Sequence, residues 1–117
     1  EGHVLVTVVA KALVDPLQLT TSDVTQYTAA TSTRAIIDKM TVTNTTGSAA
    51  TVTVNLVKSA GAVSASNTII SAQSVAAGTT YVCPEVVGHI LNPGDFISAK
   101  AGTATALTFR VSGREVS

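Results

Sequence analysis

The feature that most constrains this chain is the segment Ala50 to Leu56, ATVTVNL, in which Val52, Val54 and Leu56 alternate with Thr51, Thr53 and Asn55. A period of two sends one set of side chains into a core and the other to an opposite, wetted or partner-covered face, which is a β-strand. The preceding segment, Arg34 to Asn44, alternates less cleanly. Met40 and Val42 share a parity, but extending it backward puts Asp38 on the apolar side with Ile36. One extra residue near Ile37 and Asp38, a β-bulge, removes the conflict and sets Ala35 and Ile37 beside Met40 and Val42. Asn44-Thr45-Thr46-Gly47-Ser48 has the residues that bond their own backbone or tolerate positive φ. The expectation is a central hairpin from Arg34 to Lys58, with Thr41, Thr43, Thr51 and Thr53 on the face away from the core.

The rest of the chain carries the same kind of signal. His3 to Val9 reads as a first strand, and a short helical turn over Lys11 to Asp15 is expected to stop at Pro16. Leu17 to Thr33 is polar and threonine-rich, an extended arm or edge strand. Ser59 to Asn67 has little to bury and reads as a surface loop. Strands are expected over Thr68 to Val75, Thr80 to Cys83, Val86 to Leu91, Phe96 to Ala101 and Ala106 to Val116, with Ile97, Leu107, Phe109 and Val111 in the core. Asn92-Pro93-Gly94-Asp95 fits a type II turn, proline fixing φ at the second position and glycine accepting positive φ at the third. About eight short strands with regular turn signals and no sustained helical period predict an all-β chain, an antiparallel, jelly-roll-like sandwich over 27–117 with an extended N-terminal arm over 1–26.

Composition bears on what such a sandwich does. Charged residues are 12% of the 117, against about 25% in an average soluble domain. Lysines and mixed charges are what ordinarily keep β-proteins apart, so a surface this poor in them is either covered by partners, the preferred reading, or leaves an aggregation-prone monomer. The seven basic and seven acidic residues cancel, and no basic run offers the positive field a nucleic-acid binder needs. No apolar stretch approaches the roughly 20 residues of a membrane-spanning helix. Val4 to Val9 is too short, and lacks the flanks, for a signal peptide. Cys83 is alone, which excludes an internal disulfide.

Chemical apparatus is sparse. His3 and His89 have no ligand partner at metal spacing, so no metal or cofactor is expected. Cys83, His89 and Asp95 lie six residues apart in turn; a nucleophilic triad of them requires tertiary convergence, and the plainer reading is a small core cysteine and a rim histidine. Glu85 and Asp95 form an acid–base pair only if their loops cluster, and the chain has only 3% aromatics to hold a sugar. Asn44-Thr45-Thr46 matches an N-glycosylation sequon, but the plainer reading of the same residues is a turn. Arg110 and Arg114 fall on the outer face of the last strand, either solvated or facing a carboxylate of another subunit.

The succession YTAATSTRAIIDKMTVTNTTGSAATVTVNLV, a small-residue loop, IISAQSVAAGTTYVC and HILNPGDFISAKAGTATALTFRVSGREV resembles a family of small β-sandwich proteins encoded in tailed-bacteriophage structural gene clusters. The likeness spans about Tyr27 to Val116 and rests on strand and turn signatures. It implies a non-enzymatic virion protein: a capsid decoration or cement protein stabilising the head as a homo-oligomer, a trimer or dimer, by clamping subunits of the major capsid protein. Neck, tail or fibre modules are the alternative, contacting other virion proteins. A carbohydrate-binding sandwich is a lower one. The segments expected to make subunit contacts are the arm, through Val4, Val6, Leu13 and Leu17, and the outer face, through Thr41, Thr43, Thr51, Thr53 and Arg110. A solvated threonine face is the other reading of the same residues.

Overall fold

The alternating segments are strands in the computed structural model, which describes residues 6–117. Among the described residues they are β1 (Val8–Gln18), β2 (Val24–Thr28), β3 (Arg34–Asn44), β4 (Ala50–Val57), β5 (Thr68–Val75), β6 (Thr80–Tyr81), β7 (Ile90–Leu91), β8 (Phe96–Ala101) and β9 (Leu107–Val116). One sheet runs β1-β9-β3-β6, with β7 also on β3; the other runs β2-β8-β4-β5. All pairings are antiparallel. Because β6 pairs at Val42 and Thr43 and β7 at Ala35 and Ile36, the two are one strand along β3 interrupted by an excursion over 82–89. Counted so, the first strand pairs with the last, the second with the next to last, the third with the interrupted strand and the fourth with the fifth. This is a long antiparallel ribbon rolled into a sandwich, the jelly-roll arrangement.

The central hairpin is corrected by this topology. β3 and β4 lie in different sheets, each with both edges already taken: β3 by β9 and the β6/β7 pair, β4 by β8 and β5. The segment between them is an arch over the end of the sandwich, organised by the buried Asn44. Its Nδ2 donates to the Ser48 carbonyl at 2.8 Å and the Val75 carbonyl at 2.9 Å, and its Oδ1 accepts from the Thr46 backbone N–H at 2.9 Å and hydroxyl at 2.7 Å. The amide thereby ties the end of β3 to the end of β5 in the opposite sheet.

The register of β3 on β9 slips between Ile37 and Lys39, leaving Asp38 as the extra residue. Ala35, Ile37, Met40 and Val42 are all buried in the core, and the outward Asp38 carboxylate takes two bonds from Arg114, Nε at 3.0 Å and Nη2 at 2.9 Å. Across from the bulge, Gly113 has no room for a side chain: a Cβ there would collide with the Ile36 carbonyl oxygen.

Val52, Val54, Ile97, Leu107, Phe109 and Val111 fill the core with them, Phe109 being its largest fully buried side chain. Leu56 differs. It sits at the open end of β4, only partly buried while packing on the core, whereas its neighbours Asn55 and Val57 are buried. The reason is the 58–67 loop, which folds back over that end of β4. Asn55 Nδ2 contacts the Ser64 carbonyl, Asn67 Oδ1 and Thr68 Oγ1 at 2.8–3.1 Å.

The N-terminal expectations change most. β1 is one strand that runs through Pro16, with no helical turn. It slips against β9 between Ala12 and Val14 and again between Val14 and Leu17, and an edge strand with such slips tolerates a residue that cannot donate. The first slip lets consecutive residues Leu13 and Val14 both enter the core, joined by Leu19. A boundary at 26/27 falls inside β2, and 1–26, expected as an extended arm with a first strand, contributes to strands of both sheets. His3 and Val4 lie outside the described residues. The Asn92–Asp95 turn closes with an Asp95 N–H to Asn92 carbonyl bond of 2.9 Å, and Gly94 has φ 87°.

Candidate functional site

His3 lies outside the described residues; each described residue considered for chemistry is engaged in structural bonding or stands apart from its supposed partners. Cys83 is fully buried, and its thiol donates weakly to the Tyr81 carbonyl at 3.8 Å. Burial, with a smaller push from Glu85, raises that thiol to about 12, so it stays protonated and un-nucleophilic near neutrality. Asp95 is buried because the turn it closes uses its carboxylate. Oδ1 accepts the Ser59 N–H at 2.9 Å, Oδ2 accepts the Asn92 N–H at 3.0 Å, and Lys58 Nζ stands 3.7 Å away. His89 is exposed; it shares a cleft of about 310 Å³ with Asp95, walled by Leu56, Ile69, Ile90 and Leu91. Cys83 does not line that cleft, so the three residues do not form a triad. Glu85 accepts the Tyr81 hydroxyl and does not line the cleft that holds Asp95. Among the described residues no group of three His, Cys, Asp or Glu is placed to hold a metal.

Asn44 is spoken for as well. With both ends of its amide bonded and the side chain buried, the sequon is a turn device. Arg114, one of two arginines considered for an intersubunit ion pair, has an intramolecular partner in Asp38. That pair holds the Asp38 carboxyl below its ordinary value, chiefly through the hydrogen bond, and both groups are exposed.

What remains are surfaces. Because β3 and β4 belong to different sheets, the four threonines do not form one face. Thr41 and Thr43 lie on the outer face of the β1-β9-β3-β6 sheet. There Thr43 and Thr80 hydroxyls bond at 2.9 Å, and Lys39, Thr41, Arg110 and Ser112 border a shallow recess of about 340 Å³. Thr51 and Thr53 lie on the opposite side of the sandwich, beside Lys100 and Ala72 in a recess of about 360 Å³. All four are half-buried by their neighbours.

Of the arm residues considered for contacts, Leu13 is buried in the core and cannot reach another subunit, while Leu17 packs against the core and stays partly exposed. Val6 is 62% exposed. Two residues that the alternation argument passed over join it: Val8 and Val9 are 56% and 47% exposed on β1, at the margin of the sheet. Their signal was available, since a run of valines at an edge has no second sheet to cover it. Val82 and Val87 on the excursion and Ile90 on β7 are also exposed, at the other margin.

No family model matches the chain, and no curated protein matches it. Among solved structures it is similar over 96% of its length to a chain titled "Structure of infectious bursal disease virus Gx strain", with 15% identity and a TM-score of 0.40. The protein spans 32% of that chain.

Proposed function

We propose that this protein is a non-enzymatic structural component of a virion, a capsid decoration or cement protein of a tailed bacteriophage that binds the head lattice as a homo-oligomer. The observation that carries the reading is the strand order β1-β9-β3-β6 against β2-β8-β4-β5, the jelly roll that viral capsid domains share with lectins and cupins. Two features favour the first of these. A cupin site is a cluster of histidines and carboxylates on the inner strands, and here the core residues of β3, β8 and β9 are aliphatic or alanine, with Met40 and Phe109. A lectin platform needs aromatic faces turned outward, whereas Tyr27 and Tyr81 are tied through their hydroxyls to Glu115 and Glu85, Phe109 is buried and Phe96 is partly buried. A sparsely charged surface suits a subunit whose margins are covered after assembly.

The test is direct imaging. Purified particles of the virus that encodes the sequence are analysed by mass spectrometry and cryo-electron microscopy. The expected result is the protein in the particle, with a small sandwich repeating on the head lattice. Density confined to neck, tail or fibre moves the protein there, and absence from the particle overturns the virion reading.

A further inference from the structure

The four sheet margins are unequally defended. β6 and β7 have two residues each, and β2 has five with one register slip. β5 slips twice against β4, and Ala72, with φ 46°, donates its N–H to Thr53 Oγ1 at 3.0 Å. Short and broken edges are how sheets avoid adding further strands. β1 has no such break from Val8 to Ala12. Thr7 and Ser117 exchange both backbone hydrogen bonds at 3.0 Å. The alternation of antiparallel pairing then commits Val9 and Lys11 to β9 and turns the N–H and C=O groups of Val8, Ala10 and Ala12 toward a margin that no other strand among the described residues pairs. The one charge that would guard this stretch, Lys11, is 3.4 Å from Glu115.

We propose that this margin is a homodimer interface in which Val8 to Ala12 of one copy pairs antiparallel with Val8 to Ala12 of a second copy about a two-fold axis at Ala10. A second copy is the occupant because the segment is self-complementary in shape and charge. With the axis at Ala10, every outward-turned backbone group from Val8 to Ala12 meets a partner. Lys11 falls opposite Val9 of the second copy and not opposite a lysine, and each ammonium keeps its own Glu115. Two alanines meet on the axis, where any larger or charged residue would face its own copy. The two four-strand sheets become one continuous sheet, and the isologous contact closes on itself without open-ended growth. The inference specifies the homo-oligomer of the reading above, and its test uses free protein, so that its failure and a failure of particle binding are separately visible.

The full chain is examined by sedimentation velocity over a concentration series. The expected result is a monomer–dimer equilibrium. Ala10→Lys places like charges directly opposite each other and raises the dissociation constant by about five-fold or more, with an unchanged circular dichroism spectrum because Ala10 is exposed. Ala10→Pro removes a donor that only the second copy uses and has the same effect. Gln73→Lys, on β5, leaves the equilibrium as it was. A wild-type chain that stays monomeric throughout, a dimer insensitive to both Ala10 variants, or one dissociated by Gln73→Lys overturns the proposal.

Discussion

The hydroxyl of Tyr27, on the edge strand β2, donates to the carboxylate of Glu115, on β9, the second strand of the opposite sheet, and so links the two sheets. Lys11 Nζ approaches the other oxygen of that carboxylate at 3.4 Å, which makes the three residues a cross-brace at the open end of the sandwich. A hydrogen bond to a charged acceptor contributes about 1.5–3 kcal/mol when well shielded, and this one is partly exposed. Tyr27→Phe should therefore destabilise by about 1–2 kcal/mol, read as a lower urea midpoint with an unchanged slope. An unchanged midpoint would remove the brace from the account.

Alkaline pH should weaken the fold. Burial, then a hydrogen bond from each hydroxyl to its glutamate, raises Tyr27 well above its usual value and Tyr81 to about 12; burial raises Cys83 likewise. The unfolded chain loses these protons near pH 8.5 for the thiol and near 10 for the phenols. The folded chain keeps them longer, so the stabilisation is complete below those values and declines as the pH rises through and beyond them. Chemical denaturation should give a plateau from about pH 6 to 8 and a falling midpoint above about 10. Ultraviolet titration of the native protein should show no phenolate at pH 10. Half-ionised tyrosine there would contradict the raised values.

The alternation of Val and Thr was enough to read the fold class, the bulge at Asp38 and the proline–glycine turn before Asp95, because each is a local property of a few residues. It could not say which strand lies beside which. β3 pairs with β9, some seventy residues away, and parity is silent on that choice. The hairpin expectation failed there, and the shared threonine face failed with it. Leu13 was misplaced for a related reason: Leu13-Val14 has no period because a slip turns both residues inward, and that slip is set by the partner strand. Asn55 and Val57 are buried on what parity makes the outer face, by a loop whose small residues gave no sign that they would fold back.

Asn44 makes the arch dependent on a neutral amide. Asn44→Ala strips partners from the Ser48 and Val75 carbonyls and the Thr46 N–H, and should lose about 2–4 kcal/mol. Asn44→Asp should be worse near neutrality, since a carboxylate would face the two carbonyls that now accept from Nδ2. Its folded-state pKa would be raised, so the variant should recover stability as the pH falls toward 4, until its other carboxylates protonate. Thermal melts at pH 5 and pH 7.5 check this: the deficit relative to wild type must shrink at the lower pH.

Cys83 should be inert in the folded state. A chromogenic disulfide reagent at pH 8 should react with it only at the rate of unfolding, and at once in denaturant, because the thiolate is the reactive form and the thiol is both enclosed and raised to about 12. Rapid reaction of the native protein would mean that the 82–89 excursion opens locally and exposes the core beneath it.

Deleting 1–26 is the natural way to ask whether the N-terminal segment binds a partner, and the topology predicts that it cannot be done cleanly. The deletion removes β1, which pairs along β9, the first three residues of β2, and the core side chains of Leu13, Val14 and Leu19. Large-to-small changes at single buried leucines already cost about 2–5 kcal/mol each, against a total stability of about 5–15 kcal/mol for an ordinary domain. The truncated chain should therefore be unfolded or aggregated, with β9 newly exposed as a sheet edge. A deletion confined to 1–5 should keep a cooperative transition, since β1 begins at Val8 and the Thr7–Ser117 bond pair survives. If 27–117 alone gives a sharp, reversible melt near that of the full chain, β1 is dispensable to the sandwich and the segment is an arm after all.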